Sequence, residues 1–263
     1  MSSLFIREDL NDIPHEVRDV VSLHGEEQKH AVTVNRIKVG EDTSIGDGRG
    51  LIVSGPVIAV SSSVLSIAVT SVRVERRPAA TIWLVQALAK GDRDEMAVQA
   101  ATELGIDGVL PWAAERSVSR WVGPKVAKGV ERWRTIVREA SKQSIRAFVP
   151  TVGELAGIKQ LIELASVSRM LVLEPSATEA LTAAALPGFD AADFDAARTD
   201  AARTDGQPDL VLVVGPEGGI SPNELHQLVA AGATTVKLGT SILRTSTAGP
   251  AALSALNVRL GRW

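Results

Sequence analysis

Residues 210–248 read LVLVVGPEGGISPNELHQLVAAGATTVKLGTSILRTSTA. Leu210–Val214 is a run of apolar β-formers that breaks into a loop holding Gly215, Gly218 and Gly219. A helix follows at once. Ser221 as N-cap, Pro222 at N1 and Glu224 at N3 make a capping box, and Gly232 supplies the stop. A second short run, Thr234–Leu238, breaks again at Gly239. Two strand-to-loop exits therefore lie close together in one α/β unit. Ligands of open α/β sheets sit at the carboxyl ends of strands, so the site is expected here.

The same grammar extends back to residue 79. Thr81–Ala87 predicts a strand, and Met96–Leu104 a helix with Ala97, Ala100, Ala101 and Leu104 on one face, stopped by Gly105. Val109–Leu110 predicts a short strand before Pro111, residues 124–144 a long charged helix, and Met170–Leu173 a further strand leading to Glu174-Pro175-Ser176. Such alternation implies a mainly parallel sheet covered by helices. The last helix is expected near Ser246/Thr247, with Pro250 in its first turn. Its stripe Leu253, Leu256, Leu260 either closes the domain or faces a partner subunit. Residues 1–75 differ. Ala31–Val34, Leu51–Val53, Val57–Val60 and Val64–Val69 are short Val/Ile-rich runs between turns such as Gly46-Asp47-Gly48, the pattern of a small barrel. Arg73–Pro78 reads as the linker. Segment 187–209 carries DAART twice, at 195–199 and 200–204, and reads as an insertion or long loop.

Composition narrows the function. The 263 residues suffice for two domains. Without cysteine there is no disulfide, thiolate nucleophile or thiolate metal site, and the four scattered histidines lack metal-ligand spacing. No metal is expected. MSSLFIREDL is neither signal nor transit peptide, and no apolar run approaches membrane length. A soluble cytoplasmic protein is expected. The net charge of −3 gives no global basic field. Locally, Arg116 to Arg146 holds nine Lys/Arg against two acids, +7, with Trp112, Trp121 and Trp133 in or beside it. Basic residues interleaved with aromatics suit a nucleic-acid backbone with stacking platforms. Residues 174–209 carry eight acids and two arginines, −6, so a polyanion is expected on one face only. The first 75 residues, with seven Lys/Arg to eleven acids, are not basic.

The glycine loops match neither G-x-x-x-x-G-K-[ST] nor G-x-G-x-x-G, which disfavours a nucleotide triphosphate or a dinucleotide. Glu217 would repel polyphosphate. A ligand neutral or cationic overall is favoured, and a nucleoside with a sulfonium and an amino-acid tail fits. A tight turn without ligand is the competing reading of these glycines taken alone. Arg244, at a loop tip running into the last helix, suits a phosphate or a developing oxyanion.

Five segments, in order, resemble the RsmE-type 16S ribosomal RNA (uridine-N3) methyltransferases of the SPOUT class. They are His30–Gly40; Ala101-Thr102-Glu103-Leu104-Gly105 with Glu115-Arg116-Ser117; Glu139–Arg146 with Pro150; Gly215–Glu224; and Leu243-Arg244-Thr245 with Thr247-Ala248. The chain departs from that pattern at Ser241 and Ser246, where the family carries Arg and Glu.

The resemblance implies an α/β fold: a SPOUT domain with a trefoil knot over 76–263, plus a small PUA-like β-barrel over 1–75 that binds RNA. It implies S-adenosylmethionine as cofactor, a homodimer, and 16S rRNA of the small ribosomal subunit as partner. The cofactor would lie against Leu173, Glu174, Gly215, Pro216, Glu217, Gly218, Leu238, Gly239, Ile242 and Leu243. Arg244 would be catalytic, and Arg36, Arg116, Arg120, Gln143 and Arg146 would contact RNA. Another RNA or another base atom as substrate, and a non-catalytic RNA-binding or ribosome-assembly factor, stay open as alternatives.

Overall fold

The structure is a computed structural model that describes residues 3–78, 81–186 and 210–263. The DAART repeat lies outside them. The chain forms two compact units, Met1–Arg77 with Glu139–Val149, and Pro78–Arg138 with Pro150–Trp263. Recruitment of Glu139–Val149 to the first unit has no counterpart in the sequence pattern.

In the first unit the strands are β1 (Leu4–Ile6), β2 (Val20–Leu23), β3 (Asp42–Gly46), β4 (Leu51–Val60), β5 (Leu65–Ala68) and β6 (Ser71–Val74). Their order is β1-β3-β4-β5-β2, with β6 also pairing β4. Only β1–β3 is parallel. Among the described residues β1 and β2 do not pair with each other, so the ladder does not close into the expected barrel. The two apolar runs Leu51–Val53 and Val57–Val60 are one strand, bent at a bulge between Val57 and Ala59. Gly55 is required in it, because a Cβ there would collide with the Ala68 carbonyl. Phe5, Leu23, Ile45, Val53, Leu65 and Ile67 make the core.

Ala31–Val34 is not a strand. Helix α1 (Gly25–Lys29) runs on into a π-helical turn over His30–Val34. Glu26 and Glu27 favour a helix start, and one buried Ala31 suffices to anchor the turn, so tertiary packing overrides the β-branched residues. Arg73 and Val74 likewise belong to β6, which leaves a linker shorter than expected.

The second unit holds a six-stranded, all-parallel sheet in the order β12-β10-β11-β7-β8-β9. The strands are β7 (Ile82–Ala87), β8 (Gly108–Trp112), β9 (Thr151–Val152), β10 (Arg169–Leu173), β11 (Leu210–Val214) and β12 (Thr234–Val236). β11 is central and every residue in it is buried, which is why LVLVV is unbroken rather than alternating. β8 continues through Pro111, where the sequence placed its end. Proline is tolerated because pairing with β9 stops at Val109↔Val152, so no ladder donor is needed there. The Pro111 carbonyl still accepts from the Ala156 N–H at 2.8 Å.

The helices are α2 (Arg93–Glu103), α3 (Pro124–Gln143), α4 (Ile158–Val167), α5 (Pro222–Ala230) and α6 (Thr245–Arg259). Gly105 and Gly232 stop α2 and α5 with φ of +97° and +109°. The capping box of α5 is formed as expected: Ser221 Oγ accepts from the Glu224 N–H and Glu224 accepts from the Ser221 N–H, both at 3.2 Å. α6 begins at Thr245, so Pro250 lies beyond its first turn, inside the helix. Leu253, Leu256 and Leu260 are buried within the chain and close this unit. α6 packs on α2 and β11, where Gly249 lets it approach Leu84 and Val214. Among the described residues no helix is long and apolar enough to cross a membrane.

Candidate functional site

A cavity of about 570 Å³ opens over the carboxyl ends of β10, β11 and β12. Leu173 lines it as the last residue of β10 and Glu174 as the next; Gly215, Pro216, Glu217 and Gly218 follow β11; Leu238, Gly239, Ile242, Leu243 and Arg244 follow β12. The size suits a nucleoside-sized ligand, since such pockets span about 300–1,000 Å³. Glycine is needed in its wall. A Cβ on Gly215 would meet Ile220 Cγ1 at 2.7 Å, and one on Gly218 would meet the Arg116 Cβ and carbonyl at 3.2 and 3.3 Å. Gly219 turns the chain with φ of +72°.

Glu217 does not stand alone as a repelling charge. Its Oε1 accepts from the Lys90 N–H at 3.1 Å and from Arg93 Nη1 at 3.0 Å. Burial pushes its carboxyl up, but hydrogen bonds from its own N–H, from Lys90 and from Arg93 outweigh that and leave it lowered from 4.5. A carboxylate depressed by folding contributes stability above its unfolded pKa and loses it as pH falls through the folded value. Glu217→Gln is therefore expected to remove part of the acid-side loss of thermal stability below about pH 4.5, checked by melting curves across that range. Asp94 behaves oppositely: burial raises its carboxyl, although it accepts from the Ala89 and Glu95 N–H groups.

The residues expected to meet RNA fall in both units. Arg36, Gln143 and Arg146 belong to the first; Arg116 and Arg120 belong to the second. Arg36 and Gln143 are exposed, and Arg146 is half-buried. Arg116 is exposed and donates to the Gly218 carbonyl at 3.3 Å, while Arg120 donates to the Glu115 carbonyl at 3.4 Å. The basic stretch is far less basic in space than in sequence. Arg132 pairs with Glu95, Arg134 with Glu131 and Glu154, and Lys142 with Glu27 and Glu139. Two of its tryptophans are not stacking platforms: Trp112 and Trp133 are fully buried. Half-buried Trp121 lies against Gly129 and meets Trp133 edge-on at 5.7 Å. Large aromatics here fill the core instead of the surface.

Some wall residues escaped sequence reading. Arg93, Lys237 and Thr245 line the cavity. Arg93 follows a Lys90-Gly91-Asp92 turn at the end of β7, with φ of +63° at Gly91 and +56° at Asp92. That glycine turn after a strand was the available signal. Buried Gln86 in β7, an amide among apolar neighbours, was another.

Parallel strands with a glycine-lined cavity over their carboxyl ends define a ligand-binding α/β protein. The RNA methyltransferase domain family matches residues 75–257. The Ribosomal RNA small subunit methyltransferase E of Mycobacterium bovis is 40% identical over 254 residues, covering 93% of this chain and 88% of its own. The protein of the same name from Bacillus subtilis is 31% identical over 237 residues, covering 90% and 89%. A crystal structure of a Ribosomal RNA small subunit methyltransferase E from Neisseria gonorrhoeae, bound to S-adenosyl methionine, aligns with a TM-score of 0.76 at 26% identity, covering 98% of each chain. This chain belongs to the RNA methyltransferase family.

Proposed function

We propose that the protein transfers a methyl group from S-adenosylmethionine to N3 of a uridine in 16S rRNA of the small ribosomal subunit. One observation carries this: three successive strand exits converge on a single nucleoside-sized cavity with Arg244 at its edge. The cavity chemistry fits the donor. Leu173, Val214, Ile220 and Leu238 offer an apolar wall for a purine, and Glu174, which forms no ion pair among the described residues, suits the amino group of the donor's tail. When bound, the donor supplies an electrophilic methyl on sulfur. Uridine N3 is a poor nucleophile until its proton leaves, and the charge then spreads over O2 and O4. Arg244 is assigned to that charge or to the target phosphate. The general base is a group other than residue 246, which is Ser here.

The first unit is assigned as the PUA-like RNA-binding domain, built on 1–75 and joined by Glu139–Val149, with Arg36, Gln143 and Arg146 on it; Arg116 and Arg120, on the second unit, are further RNA contacts. The second unit, Pro78–Arg138 with Pro150–Trp263, is assigned as the SPOUT domain. A trefoil knot there rests on the family resemblance alone. A homodimer is supported by Ile242 and Leu243, apolar and exposed beside Arg244 at the cavity lip. Cytoplasmic location follows from the substrate. The test is methyl transfer in vitro to small ribosomal subunits, read by nucleoside mass spectrometry. Appearance of 3-methyluridine is expected. Donor binding without any methylated nucleoside would instead support the non-catalytic RNA-binding factor.

A further inference from the structure

We propose that Gln86 and Thr245 are positioning residues for methyl transfer: a buried relay through their side chains holds the Arg244 turn in register with the Gly215 turn. This rests on the donor-cavity reading above. Gln86 lies at the end of β7 and is fully buried. Its Nε2 donates to Thr245 Oγ1 at 2.8 Å and to the Ala87 carbonyl at 3.1 Å. Thr245 Oγ1 in turn donates to the Gly215 carbonyl at 2.9 Å.

The direction of this chain is fixed by chemistry. A carbonyl only accepts, so the Thr245 hydroxyl must donate to Gly215 and must therefore accept from Gln86. The amide orientation is fixed too, because its nitrogen faces two acceptors. Its Oε1 accepts nothing among the described residues. An amide buried with its acceptor idle is a poor choice for packing; a leucine or methionine would fill the same space without that penalty. What the amide adds is its donor.

The relay joins parts that chemistry must align. Gly215 is the first residue after β11, and Thr245 is the first of α6, next to Arg244. Gly215, Arg244 and Thr245 all line the cavity. The donor-side turn and the arginine thus come from segments thirty residues apart, tied by one hydroxyl. Methyl transfer is sensitive to such alignment, and a misplacement of about 1 Å can cost about a hundredfold in rate. Binding of the donor depends on each turn's own contacts and is less sensitive to their mutual register.

Thr245→Val removes the hydroxyl at nearly constant volume, Thr245→Ser keeps it, and Gln86→Met removes the donor that feeds it. Single-turnover methyl transfer, donor calorimetry and melting temperature are measured for each. Thr245→Val and Gln86→Met are expected to slow transfer by about tenfold to a hundredfold, with donor Kd within about threefold, while Thr245→Ser restores most of the rate. Should Thr245→Val fold poorly, Gln86→Met against Thr245→Ser carries the comparison. Wild-type transfer rates in Gln86→Met, or a loss in Thr245→Ser equal to that in Thr245→Val, overturns the relay while leaving the donor cavity standing. A wild-type protein that gives no heat with S-adenosylmethionine overturns both.

Discussion

Arg244→Ala is expected to slow methyl transfer by about a hundredfold to a thousandfold, with donor Kd within about threefold and the melting temperature nearly unchanged. The reason lies in how badly Arg244 is placed for stability. It occupies the N-cap of α6, with φ −65° and ψ 151°, and its side chain caps nothing. A cation there faces the positive end of the helix, where an acid would be favoured. Among the described residues its guanidinium has no hydrogen-bond or ion-pair partner, and the residue is exposed. A helix start usually carries Ser, Thr, Asp or Asn, and α5 follows that rule through Ser221. A rule broken at a cavity edge, without compensation nearby, indicates function. Arg244→Lys keeps the charge but loses the planar fork, so partial recovery indicates charge and none indicates bidentate geometry. Transfer is measured under single-turnover conditions on small subunits. Unchanged turnover in Arg244→Ala removes it from the chemistry.

Where sequence reading succeeded, local chemistry was decisive. The capping box Ser221–Glu224 needs only residues three apart, and the LVLVV run has only one comfortable place, the middle of a parallel sheet. The glycine turns after β11 and β12 were legible for the same reason. Where it failed, contacts distant in sequence won. Pro111 ends no strand because β9 stops short beside it. Ala31–Val34 coils because Ala31 is drawn into the core. The charge of the Arg116–Arg146 stretch is partly cancelled in space, since Glu95, Glu154 and Glu27 arrive from segments that no local sum includes. Trp112 and Trp133 read as surface because they lie beside or within a basic stretch, yet Trp112 is flanked by Pro111 and Ala113, and helix periodicity puts Trp133 on the inner face with Val130, Val137 and Ala140. Arg93, Gln86 and Thr245 belong to the same class: each matters through a partner more than a hundred residues away in sequence.

Lys142→Met is expected to cost the first unit about 3 kcal/mol, although the sequence places this lysine in a basic, solvent-facing helix. Its side chain is 5% exposed. Its Nζ reaches Glu139 at 3.0 Å, Glu27 at 3.3 Å and His30 Nδ1 at 3.1 Å. The ammonium can only donate, so His30 accepts through Nδ1 and carries its proton on Nε2. Removing the lysine takes the cation from Glu27, 18% exposed, which keeps the Ile6 N–H at 3.4 Å, and takes a donor from His30. Glu139 is 44% exposed and open to solvent, so the larger share of the penalty falls on Glu27. Glu27→Gln combined with Lys142→Met is then expected to recover over half of the loss, because a buried pair costs most when only one partner is removed. The chain offers a clean readout. All five tryptophans lie in the second unit, and Phe5 and Phe148 are the first unit's large rings. Tryptophan fluorescence should therefore report a smaller loss than amide exchange in β2, β4 and β5 does. High salt should not erase the effect, since a buried contact is screened far less than a surface one. Unchanged exchange in Lys142→Met, or a loss that salt abolishes, would mean that the lysine stands in water and that the acids around it hold it only at the surface.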